Sequence, residues 1–187
     1  MTDPSVNPNG IAVTSDGSRA YVTSFNPGNP VVLVIDLSSR SVIATISGLS
    51  MSYPQGATLT PDGSQLWITS PLDGETDVVD TLTNTLVTRL NIGASTDVAF
   101  NSNGTRAYVT TDAVTPGQVV VVDTGTYKIL STYTVGQGPA DIAMSYGDKF
   151  LVVNNDFDGS VSVIDLVKNI VITKTVGANP SGIAFVH

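Results

Sequence analysis

An all-β fold built from a repeated four-stranded unit follows from three features of this 187-residue sequence. Val, Ile and Thr fill a third of all positions, and these β-branched side chains fit a pleated surface better than a helix. Punctuation comes from 17 Gly and 10 Pro, and no window shows a 3.6-residue apolar period. The third feature is a pair of landmarks on one period. A Gly followed four residues later by a large apolar side chain stands at Gly17/Tyr21, Gly63/Trp67, Gly104/Tyr108 and Gly147/Leu151, with the glycines 46, 41 and 43 apart. An apolar residue closed by Asp recurs at Ile35-Asp36, Val79-Asp80, Val122-Asp123 and Ile164-Asp165, with the aspartates 44, 43 and 42 apart. A period of about 43 residues made of short strands is the signature of propeller blades.

The first unit shows how each element arises. Gly10 to Ser15 alternates and runs into Asp16-Gly17, a tight hairpin turn whose two central positions are expected at φ > 0. Arg19 to Ser24 forms the second strand. A loop with Pro27, Gly28, Asn29 and Pro30 leads to the third, Val31 to Asp36, and Ser38-Ser39 turns the chain into the fourth, Ser41 to Ile46. The later units repeat this over Thr58 to Leu90, Val98 to Thr134 and Ile142 to Val176. Apolar runs such as Val119 to Val122 suit middle strands covered on both faces. The blades are expected at about 8–52, 53–94, 95–137 and 138–178, after a poorly ordered N-terminus over 1–7.

Pro180-Ser181-Gly182-Ile183-Ala184-Phe185 then repeats the opening of a unit, so an extra first strand is expected over 179–187. Rings normally close by joining strands from both termini within one blade, which removes exposed edges. Here both termini offer the same strand. Three arrangements stay open: part of a larger ring, pairing with a second copy, or four closed blades with a redundant strand. The expectation is an incomplete ring that associates with itself, as a homo-oligomer, or with further blades of a longer chain.

Tyr21-Val22-Thr23-Ser24, Trp67-Ile68-Thr69-Ser70, Tyr108-Val109-Thr110-Thr111 and Leu151-Val152-Val153-Asn154 resemble the YVTN β-propeller repeat. Pro8-Asn9-Gly10-Ile11-Ala12 upstream and Val161-Ser162-Val163-Ile164-Asp165 downstream agree with it, and the resemblance spans residues 8 to 186. The copies depart from the pattern at Leu151 and where Ser95-Thr96-Asp97 replaces a Pro-containing opening. This resemblance implies a surface-layer-like or other exported protein, related to seven-bladed lactonase-like rings. An extracellular, cell-surface or periplasmic location is therefore expected, although Met1 to Pro8 has no signal-peptide core.

Composition closes several functional doors. There is no Cys, hence no disulfide, thiolate metal site or cysteine nucleophile, and the only His is His187. A net charge of −8 would repel nucleic acid, and no apolar stretch approaches the ~20 residues of a membrane span.

Asp36, Asp80, Asp123 and Asp165 sit where third strands end, and are read as turn residues accepting backbone N–H bonds. Tyr21, Trp67 and Tyr108 are read as packing between blades. Asn103-Gly104-Thr105 fits a glycosylation acceptor but is explained by the hairpin turn it occupies. Asn154, Asp156 and Asp158, ahead of Gly159, resemble the first half of a calcium loop, but the stretch joins second to third strands and lacks flanking helices, so no cofactor is expected, with Ca²⁺ on Asn154, Asp156 and Asp158 as the alternative.

Charge placement is the strongest functional signal. Loops joining second to third strands, and fourth strands to the next blade, share one face of a propeller. That face is expected to hold Asp73, Glu75, Asp77, Asp97, Asp112, Asp141, Asp156 and Asp158 with no Lys or Arg, suiting a cationic or basic protein partner. Two functions follow. One is a non-enzymatic binding and assembly module of a surface protein. The alternative is part of a lactonase-like hydrolase, for which only Asp97 and Asp141 offer a general base.

Overall fold

The structure, a computed structural model, describes residues 7–25, 28–112 and 114–183. Among them the chain forms sixteen strands and no helix. Four antiparallel sheets of four strands result, each strand paired with its neighbours in sequence. The fold is that of a β-propeller, and each sheet is a blade.

Blade 1 holds β1 (Asn7–Val13), β2 (Arg19–Phe25), β3 (Val31–Asp36) and β4 (Ser41–Ile46). Blade 2 holds β5 (Ala57–Leu59), β6 (Gln65–Thr69), β7 (Glu75–Asp80) and β8 (Thr85–Asn91). These two blades form one compact unit, Met1–Asn91. In the second unit, Ile92–His187, blade 3 holds β9 (Ser95–Phe100), β10 (Arg106–Thr111), β11 (Gln118–Asp123) and β12 (Ile129–Thr134). Blade 4 holds β13 (Pro139–Met144), β14 (Phe150–Asn155), β15 (Ser160–Asp165) and β16 (Ile170–Thr175).

Alternation along the strands builds each unit's core. In the first unit, Ala12, Tyr21, Val32, Val34 and Ile46 of blade 1 cluster with Leu66, Ile68 and Val79 of blade 2, while Leu49 and Met51 fill in from the connecting segment. The Tyr21 hydroxyl donates to the Thr81 carbonyl at 3.4 Å, and Thr23 Oγ1 to the Gln55 carbonyl at 3.2 Å. A Cβ at Gly10 would land on that same Gln55 oxygen, so the close approach of the two blades there requires glycine. In the second unit, Ala99, Tyr108, Val119 and Val121 of blade 3 cluster with Ile142, Leu151, Val153 and Ile164 of blade 4.

The turn between first and second strands differs from its expected form. Only Gly17 has positive φ, at 69°; Asp16 does not. The Gly17 amide donates to the Thr14 carbonyl and the Thr14 amide to Arg19, and the same bonds recur across 60–65 and 101–106. Asp16 instead accepts from the Thr14 hydroxyl and the Ser18 amide and hydroxyl.

Blade 4 shifts this turn by one residue. Ser145 and Phe150 close it, and Asp148, at φ 56°, fills the left-handed place held elsewhere by glycine. The register confirms the shift, because Phe150 pairs with Asp165 as Arg106 pairs with Asp123. Val152 is therefore the counterpart of Tyr108, and Leu151 is the counterpart of buried Ala107. Hairpin geometry aligns the repeat by its hydrogen-bonded ends, and the Gly147/Leu151 landmark read from sequence is one residue out of phase.

The second set of turns matches expectation. Asp36 Oδ1 accepts from the Ser39 amide at 2.7 Å, Asp80 Oδ1 from Thr83 at 2.7 Å, Asp123 Oδ1 from Thr126 at 2.8 Å and Asp165 Oδ1 from Lys168 at 2.9 Å. Asn103 Oδ1 likewise accepts from the Thr105 amide and hydroxyl within its hairpin turn.

Asn7, expected in a poorly ordered terminus, begins β1, and residues 1–6 lie outside the described residues. Of the extra strand expected over 179–187, residues 179–183 form no strand and 184–187 lie outside the described residues.

Candidate functional site

The eight carboxylates expected on one acidic face divide between the two units. In the first unit, Asp73 is tied to the segment that leads into blade 2. It accepts from the Ser52 amide at 2.7 Å, the Ser52 hydroxyl at 2.6 Å, the Tyr53 amide at 3.3 Å and the Ser70 hydroxyl. Partial burial pushes its carboxyl up, but these donors outweigh it and hold the group below the ordinary carboxylate range. Glu75 accepts from the Ser50 hydroxyl.

Asp77 is not on a loop. It lies inside β7 and is fully buried. Directly across the sheet stands Arg89 of β8, whose Nε contacts Asp77 Oδ1 at 2.8 Å and Glu75 Oε2 at 3.2 Å. The face expected to lack cations thus has one set between two of its carboxylates, and its negative charge is smaller than the sequence count. Burial pushes the Asp77 carboxyl up while Arg89 draws it back; Oδ2 remains buried without a hydrogen-bond partner.

In the second unit, Asp97 and Asp141 occupy equivalent first-strand positions in β9 and β13. Asp97 spans the two blades: Oδ1 accepts from the Val98 amide at 2.8 Å and Oδ2 from the Ile142 amide at 3.1 Å. Asp141 Oδ2 accepts from the Gly182 amide at 2.8 Å and the Asn154 amide group at 3.3 Å. The Asp141 charge acts on both Asp97 and Asp156. Asp158 accepts from the Gln137 amide at 2.9 Å and the Ser160 hydroxyl at 2.5 Å. Asp112 lies between β10 and β11, its own amide bonded to the Ala94 carbonyl.

Asn154, Asp156 and Asp158, the candidate calcium ligands, are engaged separately. Asn154 is buried against Asp141, Asp158 holds Gln137, and the Asp156 amide donates to the Gly138 carbonyl. Among the described residues, no group of three or more Asp, Glu or His side chains is placed to hold a metal ion.

Burial pushes the Asp97 carboxyl up to about 6, against the pull of the Ile142 and Val98 amides and with the Asp141 charge adding to the rise. Asp156 is also raised, by burial and then by Asp141. The turn aspartates move the other way: hydrogen bonds, led by the Thr14 hydroxyl and the Ser39 amide, bring Asp16 and Asp36 to about 2.

These opposite shifts set a pH profile. A carboxyl raised in the folded state binds its proton more tightly there than in the unfolded chain, so Asp97 makes the protein more stable as pH falls from about 6 toward 3.8. That limb is worth at most about 3 kcal/mol. The lowered turn aspartates contribute above 3.8, and their contribution is lost as pH falls to about 2. Stability is therefore expected to peak near pH 4. Urea midpoints across this range in the parent and in Asp97→Asn provide the check: the variant should flatten the upper limb and leave the acid limb, and an unchanged upper limb would remove Asp97 as its cause.

Sequence reasoning missed two features. One is Arg89, which stands in the fourth strand of blade 2 directly opposite Asp77, a position recoverable from register. A groove of about 320 Å³ between blades 3 and 4, lined by Asn101, Arg106, Tyr108, Tyr133 and Asp148, was also unforeseen. Its counterpart between blades 1 and 2, about 290 Å³, is lined by Asp16, Arg19, Tyr21 and Thr81, so blade packing itself makes the groove.

No family model matches the sequence. The uncharacterized protein YncE of Salmonella typhimurium, and that of Salmonella typhi, are each 28% identical to it over 148 residues. The match takes in 78% of this chain and 40% of theirs, so the chain spans about two fifths of these curated relatives. Among solved structures, hydrazine synthase of Kuenenia stuttgartiensis is similar with a TM-score of 0.83 at 24% identity, over 96% of this chain and 52% of that one. U3-55K follows with a TM-score of 0.80 at 14% identity, over 96% and 55%. A putative 6-phosphogluconolactonase from Bacteroides uniformis gives 0.73 at 12% identity, over 93% and 56%. At such identities the likeness is one of fold.

Proposed function

We propose that these propeller blades are of the YVTN type and serve as a non-enzymatic binding and assembly module of a surface or exported protein. One observation carries the reading: four of the carboxylates that could do chemistry act as acceptors for the blades' own groups. Asp73 holds Ser52 and Tyr53, Asp97 holds Ile142, Asp141 holds Gly182 and Asp158 holds Gln137. Groups spent this way lock segments together, which is what a rigid platform needs. Hydrogen bonds to neutral groups leave the negative charge in place, and in the second unit the charges of Asp112, Asp141, Asp156 and Asp158 suit a lysine-rich protein segment. An oligolysine peptide is expected to bind the full chain with an affinity that falls with added salt, and more weakly to an Asp156→Asn, Asp158→Asn variant. Binding that ignores both salt and the substitutions would end this reading of the acidic face.

A hydrolase reading has one observation in its favour, the Asp97 carboxyl at about 6 beside the Asp141 charge. It predicts turnover of simple lactones lost in Asp97→Asn. The scaffold reading predicts no turnover above the uncatalysed rate in the parent chain, so one assay separates the two.

A further inference from the structure

We propose that the groove between blades 3 and 4 binds a neutral saccharide unit, held by Arg106, Tyr108, Tyr133 and Asp148. The inference goes beyond the acidic-face reading, because it concerns other residues and an uncharged ligand.

The joint between blades 1 and 2 shows what packing alone requires. There Arg19 pairs with Asp36 and Tyr21 with Val34, as Arg106 pairs with Asp123 and Tyr108 with Val121. Both grooves therefore share an arginine and a buried tyrosine, and beyond these they part. Blade 3 pairs Val121 with Ser131 and Val119 with Tyr133, where blade 1 pairs Val34 with Ala44 and Val32 with Ile46. In the facing turn of blade 4, Asp148 takes the left-handed place that Gly63 holds in blade 2. Ala44, Ile46 and Gly63 suffice to join two blades. Ser131, Tyr133 and Asp148 add to the second groove two hydroxyls, an aromatic ring and a carboxylate that packing does not need.

The tyrosine hydroxyl differs as well. Tyr21 donates to the Thr81 carbonyl of the next blade at 3.4 Å. Leu166 stands where Thr81 does, since their amides donate to the Lys149 and Ser64 carbonyls at equivalent places. Tyr108 makes no matching bond. Its side chain is only 5% exposed, yet its hydroxyl has no hydrogen-bond partner among the described residues. That hydroxyl is not shut inside the core either, so it opens on the groove that Tyr108 lines. A donor held this way, in a fixed ring and without a protein acceptor, is matched by a ligand oxygen. Burial pushes the Tyr108 phenol up and so keeps it protonated, and Arg106 and Asp148 are close enough to act on it.

Charge and size select the ligand. The groove, about 320 Å³, stands at the small end of ligand pockets. Arg106 has no ion pair among the described residues and offers parallel N–H donors. Asp148 is oriented by the Ser102 amide at 2.9 Å and the Ser102 hydroxyl at 2.6 Å, and its oxygens retain lone pairs. An anion would meet Asp148, with Asp123 across the sheet from Arg106, and a cation would meet Arg106. A neutral ligand that both donates and accepts at adjacent atoms suits the two together. Neighbouring hydroxyls of a sugar ring do this, and the half-buried Tyr133 ring offers an apolar surface to its C–H groups.

Amide chemical-shift mapping of the full chain tests this, with methyl glycosides of glucose, galactose, mannose and N-acetylglucosamine as probes. At least one is expected to give saturable shifts around Arg106, Tyr133 and Asp148, with a dissociation constant of about 1–10 mM. Tyr108→Phe should weaken that binding about 5-fold or more and leave the melting temperature unchanged, because its hydroxyl bonds no described group. Should Tyr108→Phe fail to fold, Arg106→Gln removes a second donor at an exposed position and should weaken binding by a similar factor. Tyr21→Phe, in the other groove, should lower the melting temperature and leave glycoside binding as in the parent. Inorganic phosphate, and N-acetylglycinamide as a neutral probe without adjacent hydroxyls, should leave the groove unmoved. The absence of saturable shifts with every glycoside, binding indifferent to Tyr108→Phe and Arg106→Gln, or occupation of the groove by phosphate or the amide each overturn the proposal. Oligolysine binding and lactone turnover are read in separate assays, so the readings they test stand or fall independently.

Discussion

Arg89→Met is expected to lower stability by about 3 kcal/mol or more at neutral pH, because it strips the cation from a carboxylate that has no access to water. Asp77 is fully buried within β7, and Arg89 Nε at 2.8 Å is its charge partner across the sheet. The guanidinium side chain is 32% exposed, which keeps the loss toward the lower end of the 3–5 kcal/mol typical of such breaks. The sign of the pH dependence follows from the same pair. Burial already raises the Asp77 carboxyl, and without Arg89 it rises further. The variant should therefore recover stability as pH is lowered from about 7 to about 5, since protonation removes the stranded charge. Asp77→Leu with Arg89→Met should lie within about 1 kcal/mol of the parent, because an apolar pair satisfies the site without desolvated charge. Urea midpoints at two pH values measure all three. A loss below about 1 kcal/mol, independent of pH, would mean that the pair does not hold the sheet.

The second large effect separates two neighbouring residues in β14. Leu151→Ala should cost about 2–5 kcal/mol, since Leu151 is fully buried in the core of the second unit. Val152→Tyr should change stability by less than about 1 kcal/mol, because Val152 is the half-buried register counterpart of Tyr108. The sequence landmark Gly147/Leu151 assigns the aromatic place to Leu151 and so predicts that Leu151→Tyr is well tolerated. The structure predicts overpacking and a loss of about 1–3 kcal/mol. Thermal melts of these variants decide which phase of the repeat is real.

Much of the fold was legible because strand and turn chemistry are local. The alternation that defines β3 and β4, and the Asp–x–x–Ser and Asp–x–x–Thr turns that join third to fourth strands, are written in residues within four positions of one another. The hairpin of blade 4 was misread for an equally physical reason: Asp148 reaches the left-handed conformation that glycine holds in the other blades, so a glycine landmark lost phase there. The candidate site was less legible. Listing acidic residues by loop placed Asp77 in solvent, whereas the register of β7 on β8 places it in the interior against Arg89.

Composition and period alone determined that the chain is all-β, that its blades have four strands, and that its turns rest on aspartate and glycine. These properties depend on backbone dihedrals and on hydrogen bonds between residues a few positions apart, and short sequence segments specify both. The fate of each carboxylate was decided only in three dimensions: Asp97 drawn to Ile142 and up to about 6, Asp77 paired across the sheet, Asp141 extended toward Gly182. Burial, register and the identity of the facing amide fix the free energy of a charge, and all three come from residues distant along the chain.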